Sequence, residues 1–100
     1  MSVNVIIRMK VERARLEQLF ADRVDDLRAV HEQATAAGAI HHHFAASDDG
    51  DVIIVDEWRD AESFARFFDN PTIASMMAEA GVAGPPEVKI YEILESPDRF

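Results

Sequence analysis

The stretch Ala39 to Trp58 limits the folds open to this chain more than any other. It reads Ala-Ile-His-His-His-Phe-Ala-Ala, then Ser-Asp-Asp-Gly, then Asp-Val-Ile-Ile-Val-Asp-Glu-Trp. Asp49-Gly50 is a turn signal between two strand-like runs, the pattern of a β-hairpin. Successive side chains of a strand point to opposite faces. A tight turn that joins odd residues to even ones predicts one face with His41, His43, Ala45, Val52, Ile54, Asp56 and Trp58. It predicts a second face with Ile40, His42, Phe44, Ala46, Ile53, Val55 and Glu57. A one-residue slip in register would exchange these partners. The second set is mostly apolar and is expected against helices. The first mixes His, Asp and Trp with aliphatic residues and suits a pocket wall.

The flanks supply the remaining elements. Val3, Val5, Ile7, Met9 and Val11 alternate with Asn4, Ile6, Arg8 and Lys10, which predicts a first strand with its odd face on the core. Arg8, in mid-strand, either pairs with a carboxylate such as Asp56 or binds an anionic or carbonyl group of a ligand. From Glu12 to Ala37, Leu16, Leu19, Phe20, Val24, Leu27, Val30, His31 and Ala34 recur at helical spacing. A bend is expected near Asp25-Asp26, and Gly38 is a natural stop. Asp60 can cap a helix from Ala61 to Asp69 whose inward face holds Phe64, Phe67 and Phe68. Pro71 suits the first turn of another helical segment, Thr72 to Ala80, with Ile73, Met76 and Met77 on its apolar side. After the stiff Gly84-Pro85-Pro86 loop, Glu87 to Leu94 reads as a fourth strand.

The order is β-α-β-β-α-β, a ferredoxin-like α+β fold with a four-stranded antiparallel sheet. A chain of 100 residues is expected to make one domain, residues 1–100. Helices would cover one sheet face and a second copy of the chain the other. Nineteen acidic against ten basic residues, net −9, repel phosphate backbones, which argues against nucleic acid and anionic membranes as partners. No apolar run approaches the roughly 20 residues that span a bilayer. The absence of Cys and of a leader-like N-terminus fits a cytoplasmic protein.

Three pieces together resemble a known family: the β-α-β-β-α-β order, the segment Val55-Asp-Glu-Trp-Arg-Asp-Ala-Glu-Ser-Phe, and the loop Ala80-Gly-Val-Ala-Gly-Pro-Pro-Glu-Val. They resemble the dimeric α+β barrel superfamily and, within it, the antibiotic-biosynthesis-monooxygenase-like domains. The resemblance implies a homodimer whose sheets close into a barrel, with a cavity between sheet and helices in each protomer. It also implies a choice of activities, among them cofactor-independent oxygenation of aromatic polyketides, haem degradation and isomerisation. The axial His and neighbouring Trp of haem-degrading relatives fall at Met77 and Phe67 here, which argues against haem. Trp58 could match the strand-three Trp of the cofactor-independent oxygenases.

The chemistry expected from the residues has three forms. His41 or His43, held by Asp56, could act as a general base, since imidazole titrates near neutrality. Trp58, Ile54, Phe67 and Met77, with Arg8 and Tyr91, would then contact an aromatic or enolisable small molecule, with no cofactor and no metal. Alternatively, His41 and His43, about 7 Å apart on one strand face, could hold a metal with Asp56. In the third form, the site is packed and the chain is a non-catalytic ligand-binding or dimerisation module.

Overall fold

The computed structural model describes residues 2–100. The elements run β1 (Val3–Met9), α1 (Arg13–Asp22), α2 (Val24–Ala37), β2 (Ala39–Ala46), β3 (Val52–Trp58), α3 (Ala61–Phe68), α4 (Pro71–Ala80) and β4 (Glu87–Glu92). The strands form one antiparallel sheet in the order β2-β3-β1-β4. This is the ferredoxin-like α+β arrangement expected from the element order. The fourth strand stops at Glu92, two residues short of the expected end.

Local chemistry sets the helix limits. Asp60 accepts a hydrogen bond from the Ser63 backbone N–H at 2.7 Å and starts α3. Pro71 occupies the first turn of α4, where its missing N–H costs nothing, and Asn70 accepts from the Thr72 N–H at 2.9 Å. Gly81 ends α4 at φ +83°, a conformation that glycine adopts without strain. The long helical run breaks at Arg23, slightly before the expected bend. There the Arg23 guanidinium donates to both carboxylate oxygens of Glu79 on α4, at 2.7 and 2.9 Å, and to Asp26 at 2.8 Å. The Glu79 carboxyl is held below its ordinary range by these hydrogen bonds from Arg23. The ion pair therefore fastens α4 to the break.

The odd residues of β1 lie on the core as expected: Val5, Ile7 and Met9 are buried. They join Val52, Ile54 and Trp58 of β3 with Leu16, Leu19, Phe64 and Ala80 of the helices. The hairpin register differs from the expected one. Even residues pair with even ones: His42 with Asp56, Phe44 with Ile54 and Ala46 with Val52. The cause is loop length. The Ser47 N–H donates to Asp51 O at 2.9 Å and the Gly50 N–H to Ser47 O at 3.1 Å, which leaves a three-residue loop, Asp48-Asp49-Gly50. Gly50 sits at φ +89°, the position that closes a three-residue hairpin. An odd loop joins residues of equal parity. Val52, Ile54, Asp56 and Trp58 therefore face the helices together with His42 and Phe44, while His41 and His43 lie across from Glu57 and Val55 on the other face. A bulge at Ile40, between the pairs Ala39–Trp58 and His41–Glu57, returns Ala39 to the helix side.

Candidate functional site

The helix α2 carries Leu27, Val30 and Ala34 toward the sheet but buries none of its residues fully. It stands off from the sheet. A cavity of about 470 Å³ remains between the sheet and all four helices, a size that suits a small organic ligand. Its wall is almost wholly apolar. Aromatic rings from several elements line it: Phe20 of α1, Phe44 of β2, Trp58 of β3, and Phe64, Phe67 and Phe68 of α3. Phe20 and Phe44 have ring centroids 4.8 Å apart, and Trp58 lies 5.7 Å from Phe64 and 5.4 Å from Phe67.

One polar chain interrupts this wall. Asp56 is 6 % exposed, and burying a carboxylate is costly unless its oxygens are hydrogen-bonded. Both of them are. Nδ1 of His42 lies 2.6 Å from Oδ1, and the Trp58 indole N–H donates to Oδ2 at 2.9 Å. A carboxylate only accepts, so with Asp56 ionised the Nδ1 of His42 carries hydrogen and Nε2 is the basic nitrogen of the neutral ring. Phe44 meets the imidazole edge to face, with centroids 5.2 Å apart. The His42 side chain is 51 % exposed, so one end of the relay is wet while the other is sealed. Trp58 is only 2 % exposed.

The expected site residues divide accordingly. Asp56, Trp58, Ile54, Phe67 and Met77 all border the cavity. His41 also borders it, beside the bulge, but its ladder partner is Glu57 and not Asp56. His43 lies opposite Val55, on the face turned from the cavity. The imidazole beside Asp56 is therefore His42, which the odd loop places across from it, and not His41 or His43. The same register separates His41 and His43 from Asp56, so the two-His-one-carboxylate set is not assembled. Among the described residues, no group of three His, Cys, Asp or Glu is placed to hold a metal ion. Arg8 pairs with Asp51 at 3.2 Å rather than with Asp56. Tyr91 lies opposite Asn4 on that same outer face. Neither Arg8 nor Tyr91 lines the cavity. Sequence reasoning missed Phe20 and Phe44 as cavity walls, and it missed His42 through the parity of the loop.

The model of the antibiotic biosynthesis monooxygenase family matches residues 2–79. Among curated proteins none matches the chain. Solved structures are similar in fold. One is Rv0793 from Mycobacterium tuberculosis, at 19 % identity over 98 % of this chain and 100 % of that one, TM-score 0.64. Another is SnoaB, a cofactor-independent oxygenase from Streptomyces nogalater, at 16 % identity over 98 % of both chains, TM-score 0.65. A third is a conserved protein from Methanosarcina mazei Go1, at 12 % identity over 91 % of both, TM-score 0.64. Identities this low speak to fold alone. The family model spans most of the residues that build the sheet and the cavity, and the chain belongs to the antibiotic biosynthesis monooxygenase family.

Proposed function

We propose that this protein is a cofactor-independent monooxygenase for a small aromatic or enolisable molecule, with His42 as general base and Asp56 as the group that orients it. The observation that carries this reading is the 2.6 Å contact between His42 and a buried carboxylate at the edge of an apolar, aromatic-lined cavity. Nε2 of His42 takes a proton from an activated CH₂ of the substrate. The resulting carbanion bonds to dioxygen, and the imidazolium returns the proton to the peroxide. Loss of water leaves a carbonyl, so CH₂ plus O₂ gives C=O plus H₂O. The substrate itself supplies the four electrons. An apolar wall favours a neutral, flat substrate and keeps water from the carbanion. The presence of an oxygenase among proteins of this fold supports the reading.

The proposal includes a homodimer. The outer sheet face carries Ile6, Ile53 and Val55 half-buried among Arg8, His43 and Lys89. Such a mixed apolar face is suited to pairing with its own copy.

Oxygen uptake with anthrone, an enolisable tricyclic ketone, tests the chemistry. Consumption near one O₂ per anthrone is expected, with at least a 100-fold loss in His42→Ala and little change in His43→Ala. Binding of anthrone, read by Trp58 fluorescence, without any oxygen uptake would replace the enzyme with a ligand-binding module. Equal activity in both variants would remove His42 as the base.

A further inference from the structure

We propose that Trp58 is a positioning residue that, through Asp56, sets the pH at which His42 becomes free to accept a proton. Its catalytic consequence rests on the function proposed above; its physical basis does not. The two oxygens of one carboxylate serve two donors: Oδ1 faces Nδ1 of His42 at 2.6 Å and Oδ2 accepts the indole N–H at 2.9 Å. Each hydrogen bond to a carboxylate draws charge from it and makes it a weaker acceptor for the other. With the indole bond in place, Asp56 holds the imidazolium less firmly, and His42 releases its proton at a lower pH. Without it, His42 would keep the proton to a higher pH. Burial of Asp56 and Trp58 strengthens the coupling, because a hydrogen bond is electrostatically stronger in a low-dielectric interior than in water.

Few other titratable groups border the cavity. They are His31 of α2 and His41 of β2; the residues that α1, α3 and α4 bring to its wall are apolar. The protein has a single Trp and four His, which makes the test direct by nuclear magnetic resonance. In the unmodified protein the lone indole N–H signal should shift with pH at the same midpoint as the His42 ring. His42→Gln should abolish that shift, and His31→Gln should leave it intact. Trp58→Phe keeps an aromatic ring against Phe64 and Phe67 and removes the donor together with part of the indole's volume. It should move the His42 midpoint upward, and the acidic limb of the pH–rate profile, where the base gains its proton, should move with it.

An indole signal that stays flat through the His42 titration, or a midpoint unmoved in Trp58→Phe, overturns the proposal. Mere packing by Trp58 would lower the melting temperature and leave the midpoint in place. If Trp58→Phe fails to fold, the measurement on the unmodified protein decides alone. Coupled titration without oxygen uptake would sink the monooxygenase and leave this inference standing. His42-dependent uptake with a flat indole signal would do the reverse.

Discussion

Asp56 shows why a charged residue can sit in an otherwise apolar wall. Its two oxygens have two donors, and among the described residues no buried side-chain polar atom lacks a partner. Trp58 has two duties in this arrangement. It donates to Asp56, and it fills the core against Phe64 and Phe67. Truncation therefore removes more than a ligand contact. Trp58→Ala should destabilise the fold by about 3–5 kcal/mol, read by urea denaturation. A loss below about 1 kcal/mol would mean that the indole packs loosely and that the cavity wall can collapse around it.

At the scale of elements, capping connects the sequence to the pH response. Hydrogen bonding from the Ser63 N–H holds the Asp60 carboxyl below its ordinary range. A depressed carboxyl contributes stability above the unfolded value of about 3.9 and loses it as pH falls through the folded value. Asp60→Ala should thus melt lower than the unmodified protein at pH 7, and the gap should narrow steadily below about pH 4. A gap independent of pH would show that the cap acts without its charge. Asp60, Pro71 and Gly38 could all be read from the sequence because caps act within one turn. The register of the hairpin could not. Asp49-Gly50 is compatible with loops of two or three residues, and only the Ser47–Asp51 pairing selects three. The bulge at Ile40 and the stand-off of α2 were equally illegible, since both depend on packing between distant segments. The outcome was a correct order of elements, with the wrong face of β3 set against the helices and the wrong imidazole placed beside Asp56.

For the whole molecule, one sheet face is covered by helices and the other is open. No helix among the described residues is long and apolar enough to cross a membrane. The open rows are mixed in chemistry: His43–Val55–Ile6–Lys89, Ala45–Ile53–Arg8–Glu87 and His41–Glu57–Asn4–Tyr91. The proposed pairing of two copies predicts sedimentation at twice the 11.2 kDa chain mass at micromolar concentration. Val55→Glu, which places an acid in the centre of the half-buried row, should yield monomers. A wild-type monomer at that concentration would remove the barrel. The helix-side cavity was implied by family resemblance, whereas its aromatic lining emerges only once α1, α3 and the sheet are brought together.

The three-residue loop has a consequence for how such a chain can diversify. Loop tips tolerate insertion and deletion better than strands do. A change of one residue between Ser47 and Asp51 would turn β2 over against β3 and present His41 and His43 to Asp56 in place of His42. The identity of the imidazole beside the carboxylate is thus inherited from the length of the loop that joins the two strands. Three consecutive histidines make that position robust to drift: whichever way the strand is turned, an imidazole is available for the wall.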